Sequence, residues 1–141
     1  MKKVFSVLTI LLLCLSLPVR ANASTIPIVA VQPYYEKAIN ANSGLFINGT
    51  TADCKSSVNG YSDVVKITAV QTLQKQGFLW SWSKYDGAEW TKTVYTNTLA
   101  MSNTKAGLSS GKYRLKTVFT LTDNNGKTET ITVYSDEKSV G

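Results

Sequence analysis

Apolar residues recur at every second position along most of this chain, and no stretch carries the 3.6-residue spacing of a helix. The clearest case is 113–121, where Tyr113, Leu115, Thr117, Phe119 and Leu121 share one parity and Arg114, Lys116 and Thr120 the other, with Val118 the one apolar break. Upstream, Leu45 and Ile47 alternate as far as Asn48-Gly49, a two-residue turn signal. Beyond it Ala52, Cys54, Ser56 and Val58 lie opposite Thr51, Asp53, Lys55 and Ser57, which predicts a hairpin. Asn59-Gly60 marks the next break. Val65, Ile67, Ala69 and Leu73 then form an inward parity that Val70 and Gln71 interrupt. After Gly77, residues 79–85 read as a strand with Trp80 and Trp82 pointing the same way, and Asp86-Gly87 is expected to turn the chain. Residues 90–95 and 98–101 are shorter strands, with Leu99 and Met101 inward, followed by a loop over 103–111. Asn125-Gly126, the strongest turn signal, joins the 113–121 strand to a last one over 128–134.

This pattern makes seven or eight short strands, and their spacing argues for a β-sandwich over a barrel, two architectures that spacing separates poorly. The segment Leu108-x-x-Gly111-x-Tyr113-x-Leu115 resembles the tyrosine corner of immunoglobulin-like and fibronectin-like sandwiches. That resemblance implies a Tyr113 hydroxyl bonded back to the backbone just upstream. The expected fold is an all-β, immunoglobulin-like or fibronectin-like sandwich over 44–135, with a short tail over 136–141. An extended lead-in over 24–43 precedes it, because Pro27 and Pro33 forbid a central strand there.

Residues 1–23 read as a secretory signal peptide. Lys2 and Lys3 precede an apolar run from Val4 to Leu17, and Ala21-Asn22-Ala23 fits the small-x-small cleavage pattern. The run is shorter than the roughly 20 residues of a membrane span and closes with Pro18 and Arg20. Cleavage is expected after Ala23, with a secreted, extracellular product that keeps no stable membrane anchor. Removing the leader takes three of the fifteen basic residues and none of the nine acidic ones, so the net charge falls from +6 to +3. The remaining basic residues are dispersed and include one arginine, which argues against a nucleic-acid partner.

Cys54 is alone after the leader, so no internal disulfide forms, and its parity with Ala52 and Val58 places the thiol in the core; a disulfide-linked dimer is the competing reading. The chain holds no histidine, which excludes Ser-His-Asp and Cys-His catalysis and most transition-metal sites. Asp86 and Glu89 flank a loop, and Asp53, Asp63 and Asp123 sit by turns, where carboxylates ordinarily bond their own backbone rather than form a glycosidase pair. Asp123-Asn124-Asn125-Gly126 lacks the terminal Glu of a calcium loop. The reading is of a non-enzyme with no metal and no cofactor.

Residues 78–95 gather all three tryptophans with Tyr85 and Tyr95. Such rings can stack on sugars or sit at a membrane interface. Alternatively Trp82, and with it Trp80, fills the middle of the sandwich. Trp90, beside Thr and Lys and after Asp86-Gly87-Ala88-Glu89, is the better candidate for exposure. Trp80, Tyr85 and Trp90 are therefore the candidate ligand-binding residues.

Several short motifs in order also resemble a family of small secreted proteins of Gram-positive bacteria that carry a β-rich domain of unknown function. They are Val31-Gln-Pro-Tyr-Tyr35, Leu45-x-Ile47, Ala52-x-Cys54, Gly60-Tyr61, Thr72-Leu-Gln-Lys75, Ser81-Trp-Ser83 and Gly111-x-Tyr113-Arg114. The resemblance spans nearly all of the chain after the leader and implies an exported domain from a clostridial relative, with no active site to carry over. Together these features predict a monomeric extracellular module that binds a cell-wall glycan or another surface protein. The alternative is a membrane-active or toxin-like factor, suggested by net positive charge and the apolar segment 26–31. A third reading is self-association through sheet edges, which abundant Thr, Lys and Ser discourage.

Overall fold

A computed structural model describes residues 33–141; the expected leader, its expected cleavage point after Ala23 and the apolar segment 26–31 lie outside the described residues. The described chain forms eight strands: β1 (Ala38–Asn48), β2 (Thr51–Gly60), β3 (Val64–Gln76), β4 (Trp82–Val94), β5 (Thr98–Lys105), β6 (Gly111–Asp123), β7 (Thr128–Tyr134) and β8 (Lys138–Val140). They make two antiparallel sheets, one ordered β1-β2-β5 and the other β4-β3-β6-β7, with β8 paired to the start of β6. In the constant immunoglobulin arrangement the fourth strand joins the sheet of the first, second and fifth. Here β4 pairs with β3, the fibronectin-like variant.

The parities of β2 and β6 stand as read: Ala52, Cys54, Ser56 and Val58 are buried, as are Tyr113, Leu115, Thr117, Phe119 and Leu121. The corner forms too. Tyr113 donates its hydroxyl to the Ser109 carbonyl at 2.7 Å, above buried Leu108. Burial raises the Cys54 thiol to about 12, aided by the charge of Asp53, so the thiol stays protonated and inert.

The boundaries differ from 44–135. β1 begins at Ala38, inside the expected lead-in, because its first residues pair with Asn59 and Gly60 of β2 although 38–43 shows no alternation. β8 lies inside the expected tail, held by pairing to Gly111, Lys112 and Tyr113 and by the buried Val140. Two bulges also move side chains between faces. The first, between Val64 and Lys66, turns Val64 inward and leaves Val65 out. The second replaces the expected turn at Asp86-Gly87: between the pairs Thr72–Glu89 and Gln74–Lys84 lie one residue of β3 and four of β4, so β4 continues through a bulge with Gly87 at φ 61°.

The interior is two apolar clusters, one around Ile67, Leu99, Phe119 and Ile131, the other around Leu45, Leu73, Leu108, Tyr113 and Leu115. Between them lies a polar belt. Asn103 donates to Gln71, Gln71 to Ser56, and the Ser56, Thr117 and Ser43 hydroxyls meet in turn at 2.7 and 3.0 Å. Gln71 is the residue that interrupts the apolar alternation of its strand.

A charged latch ties the chain entering β1 to the β6–β7 hairpin. Glu129 accepts the backbone N–H groups of Glu36 and Lys37, and the Lys37 ammonium lies 2.6 Å from Asp123. The hydrogen bond from Lys37 holds the Asp123 carboxyl below its ordinary 3.8, helped by the Lys127 and Asn125 N–H groups. The same bond to Asp123 raises Lys37 above 10.5. Asp123 therefore stabilises the fold above the unfolded carboxylate value and ceases to as pH falls through its depressed one; Lys37 does so below the unfolded lysine value and ceases to as pH rises through its raised one. Asp123→Asn should lower the thermal midpoint at neutral pH and flatten its fall in acid. A variant with the wild-type acid profile would show that the latch contributes nothing.

Candidate functional site

The β3–β4 connection is a five-residue tip, 77–81. The Gly77 N–H donates to the Ser81 carbonyl at 2.7 Å, and the Ser81 hydroxyl and N–H both donate to the Phe78 carbonyl. Closing the chain this tightly puts Leu79 at φ 54° and Trp80 at φ 62°, left-handed conformations that cost an L-residue about 1–2 kcal/mol each. The turn also aims its side chains outward. Phe78, Leu79 and Trp80 are 86%, 76% and 77% exposed, three consecutive large apolar residues in solvent.

The other expected ligand residues do not join Trp80. Tyr85 is half-buried, its ring edge-on to Tyr113 with centroids 5.5 Å apart and its hydroxyl donated to the Gly107 carbonyl at 3.2 Å. Trp90 is half-buried, packs against both apolar clusters and lines a crevice between β4 and β5. The bulge over 85–88 causes this. It reverses parity along β4, so Trp90 turns inward opposite Gln71 while Trp82, expected in the core, lies on the outer face under the guanidinium of Arg114. Of Trp80, Tyr85 and Trp90, only Trp80 stands fully in solvent. Leu79 is what the pattern concealed, since after Gly77 it reads as the first residue of a strand over 79–85, and Phe78, the first residue of the aromatic stretch 78–95, is not among the candidate ligand residues.

A shallow groove of about 630 Å³ crosses the outer face of the three-stranded sheet, where Gly44, Ser57, Ala100 and Ser102 are small. Its lining contains no aromatic ring. At its margin the Lys92 ammonium donates to the Ala100 carbonyl at 2.8 Å, which covers part of the β5 edge and works against edge-to-edge pairing. Among the described residues no cluster of acids or Cys54 could hold a metal, and no helix is long and apolar enough to cross a membrane.

No family model and no curated protein matches the chain. It is similar to crystal structures of OgpA from Akkermansia muciniphila. The wild-type protein in one crystal form is 14% identical, with 73% of this chain and 30% of that chain covered at a TM-score of 0.36. A second form of the wild type gives 13%, 79%, 32% and 0.36. The catalytically inactive protein in complex with an O-glycopeptide (glycodrosocin) substrate gives 15%, 76%, 31% and 0.37. The chain spans about a third of the length of those proteins, and a likeness this distant leaves the fold to rest on the strand order and the function on the site itself.

Proposed function

We propose that the protein is an exported, non-catalytic binding module that engages the interface of a lipid membrane through the tip Phe78–Trp80. The carrying observation is the exposure of three consecutive large apolar side chains on a turn strained enough to hold two of them left-handed. A tryptophan joined to Phe and Leu suits the boundary between headgroups and acyl chains, where apolar faces leave water and the indole N–H stays near polar groups. A sugar site, the other binding reading, needs hydrogen-bonding side chains beside the ring to read hydroxyl groups. At this tip the one hydroxyl, Ser81, is engaged by the Phe78 carbonyl.

The test is sedimentation with vesicles of equimolar phosphatidylglycerol and phosphatidylcholine, with tryptophan fluorescence read in parallel. Wild type should sediment and shift to the blue. Each apolar side chain that leaves water contributes about 1.5–3 kcal/mol, so Phe78→Ser and Leu79→Ser should each weaken partition by about tenfold or more. Their thermal midpoints should hold, because both side chains are exposed in the fold. Indifference of wild type to vesicles, with a saturable shift on purified cell-wall polysaccharide, would replace this reading with the glycan one.

A further inference from the structure

Arg114 projects from the outer face of β6 and is held between two rings. Its guanidinium carbon lies 4.4 Å from the ring centroid of Trp82 on β4 and 4.3 Å from that of Tyr134 on β7. Its Nε donates to Oε1 of Gln74 on β3 at 2.8 Å. Two aromatic rings and one carboxamide, from three different strands, thus hold the guanidinium. Among the described residues no acceptor meets its two terminal nitrogens, and no acidic side chain pairs with it. An arginine fixed in plane with its outer edge open is a fork preorganised for a two-oxygen anion. Lys116, the register partner of Tyr134, adds a positive charge beside it, while Lys84, in the same cross-strand row as Gln74 and Arg114, is paired with Glu89 at 3.4 Å.

We propose that Arg114, set between Trp82 and Tyr134, is a receptor for a phosphodiester anion. The choice of ligand rests on the membrane reading of the tip. Trp82 is the first residue of β4 after the tip, so a surface that takes up Phe78–Trp80 brings its anionic groups to this side of the sheet. A phosphodiester is singly charged at neutral pH and offers two equivalent oxygens, the match for a guanidinium edge. It can come from a lipid headgroup or from a water-soluble glycerophosphate diester. Arg114 recognises the shared group in both cases, with Lys116 adding attraction without direction.

The chain has only two arginines, Arg20 and Arg114, so the Nε–H resonance of Arg114 can be assigned by its loss in Arg114→Lys. That resonance should move saturably when soluble glycerophosphoglycerol is added, or when phosphatidylglycerol vesicles are added. Movement with the soluble diester supports recognition of the headgroup alone, and movement with vesicles only supports recognition of the headgroup in place. Charged hydrogen bonds of this kind predict a loss of about tenfold or more in affinity for Arg114→Gln. Arg114→Lys should not restore it, because a lysine keeps the charge and lacks the fork. A stationary resonance with both additions overturns the proposal, as does equal affinity of Arg114→Gln and wild type. The tip is judged separately. Leu79→Ser that binds vesicles like wild type sinks the tip reading while a moving Arg114 resonance stands, and the converse result sinks the receptor alone.

Discussion

Phe119→Ala should destabilise the domain by about 3–5 kcal/mol, the largest loss expected from a single truncation here. Phe119 is wholly buried in the first apolar cluster, and its register partners are Ala69 on β3 and Ile131 on β7. Because β6 is hydrogen-bonded on both sides, its backbone cannot close on a lost ring, and small Ala69 has no side chain that could swing in. The cavity therefore persists, adding its own cost to that of lost burial. The matched control is Phe46→Ala: the same atoms are removed from a ring 60% exposed on the outer face of β1, where surface changes usually stay within about 0.5 kcal/mol. Urea unfolding of both variants decides it. Equal midpoint shifts would mean that the cluster around Phe119 is not the core.

The parts of the fold that could be read in advance are those in which one rule acts alone. β2 and β6 alternate cleanly because each has a solvent face and a core face, and Asn48-Gly49 and Asn125-Gly126 demand the left-handed turn residues that Gly49 and Gly126 supply at φ 58° and 77°. β1 before Ser43 and all of β8 were hidden because their strand character comes from a partner's backbone, which leaves no trace in side-chain alternation. The candidate site was harder. Parity survives only while register does, and the bulge over 85–88 exchanged the roles of Trp82 and Trp90. Nothing in the residues themselves announces it, because Asp-Gly is an equally good turn. Arg114 read as an ordinary outward charge, since its fixed geometry needs Trp82 and Tyr134 from strands distant in the chain.

Ser56→Ala removes one oxygen and should still cost about 1–3 kcal/mol for each buried group it strands. The belt has a direction. Gln71 Nε2 can only donate, so Ser56 Oγ accepts it at 2.8 Å and offers its own proton to Thr117 at 2.7 Å. Thr117 then donates to Ser43 at 3.0 Å, and Ser43 turns to the Leu115 carbonyl. Each step crosses from one sheet to the other, with no buried polar side-chain atom among the described residues left without a partner. Removing the Ser56 hydroxyl leaves the wholly buried Gln71 amide without an acceptor and the wholly buried Thr117 hydroxyl without a donor. Making the site apolar on both sides should reverse part of the loss. Ser56→Ala with Gln71→Leu is expected to be more stable than the sum of its single variants by about 0.5–3 kcal/mol, the range of coupling between residues in contact. Denaturant midpoints of the four proteins in that cycle measure the coupling, and strict additivity would mean that the belt does not act as a connected network. A positive coupling would mean that the Ser56 hydroxyl and the Gln71 amide stabilise the contact between the two sheets as a pair, each depending on the other for its partner.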